Sequence, residues 1–200
     1  MKLLLPGALV TAVLAAAAPM ATAHGDHHAD AVPMQAAASE ETLVLPDIPV
    51  VDTRNAREGF VSRYADAGPV LISFLYTNCK ENCTMVLAVM GLVDQAIGAP
   101  GAPPLRLVAV TVDPERDTPE VLARTAVEVG ASPRWDWLAA SPDDTPALLA
   151  AFGLRPGPVE AHESVYLLGD FRTGRFHRID GVPDPGTLVE LARQLADRPH

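Results

Sequence analysis

Lysine is nearly missing from this chain of 200 residues: Lys2 and Lys80 are the only two, and 15 basic residues face 25 acidic ones for a formal net charge of −10. A nucleic-acid groove or a polybasic membrane patch has nothing to be built from, and the acidity argues mainly for solubility. Cysteine is scarce too, with only Cys79 and Cys83. Two thiolates cannot complete the usual four-ligand structural zinc site by themselves. Aromatic residues are few and there is no internal repeat, but 48% apolar content is enough for one compact domain with a real core.

The N-terminus combines Lys2, an apolar run from Leu3 to Ala18 broken by Pro6, and Ala21-Thr22-Ala23. That is the pattern of a secretory signal over residues 1–23, which predicts a mature chain starting at His24 in the periplasm or another exported compartment. The alternative is a retained anchor, but the run is short against the roughly 20 residues of a spanning helix. No cysteine follows it to carry a lipid. Residues 24–42 are polar, with no apolar period, and are expected to form a flexible tail. His24, His27, His28 and Met34 in that tail are side chains of the kind that hold copper or zinc; the same composition also suits a solvated linker.

The folded part is expected over residues 43–200. Gly68 to Thr77 is a nearly continuous apolar, β-branched run suited to a strand covered on both faces, and Leu105 to Val112 is a second. Between them Met85, Val86, Val89, Met90 and Val93 repeat at helical spacing. Thr118-Pro119-Glu120 predicts a helix start and Gly130 its stop, with Asp117 the expected cap. Trp135 to Ala139 reads as a strand, and Ser141 to Phe152 as a helix ended by Gly153. Ser164 to Gly169 and Arg175 to Asp180 form a hairpin, and Pro185 to Leu195 a closing helix. The alternation predicts an α/β fold, a central sheet flanked by helices on both faces.

If the helix begins around Cys79, the two thiols stand on one helical face about 5–6 Å apart between Cβ atoms. They would then close a disulfide or clamp one ion, and the helix N-terminus and Lys80 both favour thiolate. Soft, low-coordinate copper(I) is satisfied by two sulfurs and one imidazole. His162, after a Pro/Gly loop and at the mouth of a strand, is the better placed imidazole. His177, between Arg175 and Arg178 in the hairpin, reads as a solvated strand histidine.

Val70 to Cys83, V-L-I-S-F-L-Y-T-N-C-K-E-N-C, and Val110 to Glu120, V-T-V-D-P-E-R-D-T-P-E, resemble the SCO/SenC family of thioredoxin-fold copper chaperones for cytochrome oxidase assembly. Trp137 to Leu154 and the H-E-S-V-Y-L-L-G-D stretch are also similar, so the resemblance covers roughly residues 46 to 195. It implies a thioredoxin-like mixed sheet. It also implies a copper ion on Cys79, Cys83 and a distal histidine, with the oxidase's copper-bearing subunit or another copper acceptor as partner. Two departures stand out. His162 lies four residues before Tyr166 where the family's histidine lies five before the aromatic, a slip that turns a strand side chain to the other face unless a bulge near Glu163 restores it. The family's prolines after each cysteine are replaced by Lys80 and Thr84. Two other functions suit the same pair: a thiol-disulfide oxidoreductase using Cys79 and Cys83, and a plain structural staple, for which so short a loop gains little.

Overall fold

The computed structural model describes residues 37–79, 82–155 and 157–198. The predicted signal and His24, His27 and His28 lie outside them. Eight strands form one sheet: β1 (Ala37–Thr42), β2 (Pro49–Asp52), β3 (Arg57–Gly59), β4 (Pro69–Leu75), β5 (Arg106–Thr111), β6 (Trp135–Ala140), β7 (Val165–Asp170) and β8 (Arg175–Asp180). Their order is β1-β8-β7-β4-β5-β6-β2-β3. The central β4, β5 and β6 are parallel and the remaining pairs antiparallel, so the sheet is mixed. The helices are α1 (Phe60–Tyr64), α2 (Asn82–Ile97), α3 (Pro119–Glu128), α4 (Thr145–Ala151) and α5 (Pro185–Ala196).

The sheet divides the core into two layers, because successive side chains of each strand point to opposite faces. Leu71, Leu107, Trp137 and Tyr166 face a layer built with α2, α3 and α5. Ile72, Phe74, Val108 and Leu167 face the other, with α1 and α4. All seven side chains of β4 are buried, as its unbroken apolar run predicts. The Thr118 hydroxyl caps α3 by accepting from the Val121 N–H at 3.4 Å, and Pro119 occupies the first turn. Gly153, at φ 69°, closes α4 in the left-handed conformation that glycine takes without a Cβ penalty. Among the described residues no helix is long and apolar enough to cross a membrane.

Two sequence expectations need correction. The tail does not stay out of the fold until residue 42: Ala37–Thr42 forms edge strand β1, antiparallel to β8. Burial does not hold it there, since Ala38 to Glu40 are exposed. Backbone pairing does, with ion pairs from Glu40 to Arg175 and from Glu41 to Arg178, the latter at 3.1 Å. Hydrophobic periodicity is blind to that kind of support. The same pairing changes His177, whose side chain is only 16% exposed and whose Nε2 lies 3.5 Å from a Glu40 carboxylate oxygen. It is a packed strand residue and not a solvated one.

Candidate metal centre

β4 delivers the chain at its C-terminal end into Tyr76-Thr77-Asn78-Cys79, and α2 begins only at Asn82. Cys79 is therefore not helical, contrary to the expectation of two thiols on one helical face. It is half-buried in the connecting loop, its N–H donates to the Tyr76 carbonyl at 3.3 Å, and it packs on the α2 layer. Cys83 is the second residue of α2. The helix N-terminus thus lies between the cysteines, where its unpaired N–H groups and dipole favour thiolate.

Asp117 sets the shape of this loop. It is 1% exposed; one carboxylate oxygen accepts from the Thr77 hydroxyl at 2.5 Å. The other accepts from the Thr77 N–H at 3.0 Å and the Thr111 hydroxyl at 2.5 Å. A buried carboxylate with this many donors spans the ends of β4 and β5 and fixes the start of the thiol loop, because each donor left without it would be an unsatisfied buried group. The capping function expected of Asp117 belongs to Thr118. Periodicity and capping rules missed the clasp because its partners are 40 and 6 residues away in sequence. Asp113 also stays buried, paired with Arg116 at 2.8 Å.

His162 arrives at the same end of the sheet by another route. A single 3-10 turn, Val159–Ala161, precedes it, and its own backbone is already extended at φ −66° and ψ 125°. β7 then pairs with β8 without interruption from Val165 opposite Asp180 to Asp170 opposite Arg175, so no bulge within the strand shifts the register. The imidazole lies edge-on to Phe74 with ring centroids 6.3 Å apart, and Phe74 belongs to the layer opposite α2. His162 and Cys79 therefore share one end of the sheet, with the imidazole turned toward the α4 layer and Cys79 packed on the α2 layer. A cavity of about 720 Å³, lined by Val112, Leu154, Glu163 and Arg178 among others, opens beside the ring.

Burial pushes the His162 pKa below its ordinary value, while a hydrogen bond with the Phe74 backbone and the Glu163 carboxylate act the other way. Its Nε2 is buried with no hydrogen-bond partner among the described residues, so the Phe74 bond falls to the other ring nitrogen. A neutral imidazole held by one nitrogen with the other unengaged is the form that ligates a metal. The donor chemistry fits a soft ion. Among the described residues, though, no three His, Cys, Asp or Glu side chains are already gathered as a metal site. His177, with its pKa lowered by burial against the pull of Glu40, is tied to the β1–β8 edge.

The architecture is thioredoxin-like, with Cys79 in the loop that leaves its central strand and a buried histidine at the same sheet end. Residues 53–170 match the family model described as SCO1/SenC, and the chain belongs to that family. The human mitochondrial protein SCO2 homologue is 43% identical over 56 residues, 28% of this chain and 21% of that protein, so the match spans about a fifth of the relative. Among solved structures, copper-bound ScoI of Arabidopsis thaliana superimposes with a TM-score of 0.66 at 17% identity, covering 76% of this chain and 96% of that one. BsSco, a member of the Sco family of cytochrome c oxidase assembly proteins described with a disulfide switch, gives 0.67 at 20%, covering 79% and 96%. At these identities the two structures speak for the fold.

Proposed function

We propose that the protein is an exported copper-binding chaperone that holds copper on Cys79, Cys83 and His162 and delivers it during cytochrome c oxidase assembly. The observation that carries this reading is the unengaged, buried Nε2 of His162 at the sheet end where the C-x-x-x-C loop emerges. Family membership and the copper-bound ScoI relative support the choice of metal. Two thiolates and an imidazole form a soft, low-coordinate donor set that suits copper(I). The cargo is received and passed on, and the protein's own part is to present ligands and shield them. The acceptor under this reading is the copper-bearing oxidase subunit or another copper-accepting protein, met in the periplasm or another exported compartment, as the signal pattern of residues 1–23 supports.

An anaerobic copper(I) titration of the reduced chain from His24 onward, against a competing chelator, tests it. One tight equivalent is expected, lost in Cys79→Ser and Cys83→Ser and weakened about tenfold or more in His162→Ala, the scale of one lost ligand or its support. Tight binding indifferent to His162 removes that residue from the ligand set. Absence of tight binding replaces the chaperone with thiol-disulfide exchange on the same cysteines.

A further inference from the structure

Among its described side chains the thiol-bearing helix exposes no charge, as α1 and α4 do not either, whereas α3 and α5 do. α3 exposes Glu120, Arg124 and Glu128, and α5 exposes Glu190 and Arg193. On α2 the exposed residues are Thr84, Met85, Ala88, Leu92, Gln95 and Ala96, none of them charged, in a chain of net charge −10. Its one carboxylate, Asp94, is buried and accepts from the Ser132 N–H at 2.8 Å and hydroxyl at 2.5 Å. Among the described residues only five large apolar side chains stand exposed. Met85 (49%) and Leu92 (54%) are on α2, and Val127 (81%) and Val129 (37%) are at the end of α3. Leu92 and Val129 line the same open groove, of about 1000 Å³, with Thr84 and Gly91, and its far wall carries Arg134, 43% exposed, beside buried Asp94. A Cβ built on Gly91 meets nothing within 4 Å, so the groove floor is open to an approaching backbone.

Apolar groups gathered on one surface mark an interaction site. Its position and size select the occupant. The face starts at Thr84, directly after Cys83, so whatever covers it stands over the mouth of the thiol loop. A helix of this length presents a face on the order of 250 Å². Even doubled by the valine wall that falls short of the ~800 Å² per partner of a stable complex, which disfavours a permanent second copy and suits a short-lived encounter. We propose that the α2 face, whose exposed side chains are uncharged, docks the copper-exchanging partner, a protein whose own thiolate or imidazole copper site is ringed by uncharged apolar side chains. This rests on the chaperone reading. A cargo-passing complex must form at the metal and then dissociate, and a small apolar contact beside the ligands does both.

The test is stopped-flow transfer of copper(I) from the loaded full chain to the reduced, copper-free soluble domain of a copper-bearing oxidase subunit. Met85→Glu, Leu92→Glu and the double variant are compared with the wild type. The same proteins are stripped by a small chelator as a control. The expected result is transfer to the domain slowed about tenfold or more in the double variant, since a charge must be desolvated in the contact. Copper affinity and the chelator rate stay unchanged. Unchanged transfer in the double variant overturns the proposal. So does self-association in sedimentation velocity that the variants abolish, which would give the face to a second copy. A wild type that binds no copper sinks the chaperone reading instead. Heteronuclear NMR titration of the metal-free chain with the same domain then decides the face separately: shifts along α2 lost in Leu92→Glu keep it, and no shifts overturn it.

Discussion

Asp52 and Asp136 at one end of the sheet are held by cations, whereas Asp117 at the other is held by neutral donors, although its neighbour Asp113 keeps a cation in Arg116. At the N-terminal ends of β5 and β6, Arg63 is 2.9 Å from Asp52 and 3.8 Å from Asp136, Arg106 is 2.8 Å from Asp136, and the Tyr64 hydroxyl donates to Asp136 at 3.0 Å. Each carboxylate there has a cation, and burial together with Asp136 pushes the Tyr64 pKa up. At the thiol end, Asp117 is held by three neutral donors, without an ion pair among the described residues, and His162 keeps a nitrogen unengaged. Both ends leave some bonding capacity over, Arg134 Nε and Trp135 Nε1 at the first and His162 Nε2 at the second, but only the second offers a metal ligand. A network of paired charges rigidifies, whereas an unengaged ligand nitrogen is where a metal is received.

The sharpest way to break that contrast is Asp117→Ala. Three buried donors lose their acceptor at once, and a loss of about 3 kcal/mol is expected in urea unfolding. Cys79 should also become faster to alkylate in the folded state; an unaltered alkylation rate would show that the clasp does not govern the thiol loop. Next comes Arg63→Met, which leaves Asp52 and Asp136 short of a cation that is itself only 11% exposed. The expected loss is about 2 kcal/mol, with copper(I) affinity unchanged. A loss of affinity there would couple the two ends and undo the comparison.

Acid sharpens it further. Burial raises the Asp52 pKa, but the Ala56 and Arg54 N–H groups and the Arg63 and Arg54 guanidiniums outweigh that and hold it down to about 2. A carboxylate depressed on folding contributes stability that is complete above its ordinary value near 3.8 and lost as pH falls toward 2. The wild type should therefore lose stability in that window, and Asp52→Asn should flatten the pH dependence of the unfolding midpoint there. The smallest effect is expected from Arg178→Gln, which frees Glu41 and the Phe152 carbonyl at the β1 edge. Amide exchange over residues 38–42 should quicken with little change in the global midpoint. A large drop in the midpoint would mean that the edge strand belongs to the cooperative core.

How far the sequence reached depended on how local the evidence was. β4 and β5 were legible because seven and six consecutive residues carry the apolar pattern of doubly covered strands, and α3, α4 and α5 because caps and terminal glycines punctuate them. β1 was not, since Glu40 and Glu41 find their cations 135 and 137 residues later. The helical spacing from Cys83 to Ile97 matched α2 to within one residue, but the condition that the helix begin at Cys79 failed because the loop after β4 is held by Asp117 and not by its own sequence.

By itself the sequence determined the α/β alternation and the two soft donors Cys79 and Cys83 between a buried strand and a helix. Those depend on periodicity, spacing and donor chemistry, all local properties. Only the tertiary structure decided that Cys79 stands outside the helix, that Asp117 clasps its loop, and that His162 rests against Phe74 in the layer opposite α2. Each of these depends on which distant backbone or side chain supplies the missing hydrogen bond or packing surface, and that is settled only when β4, β5 and β7 lie side by side.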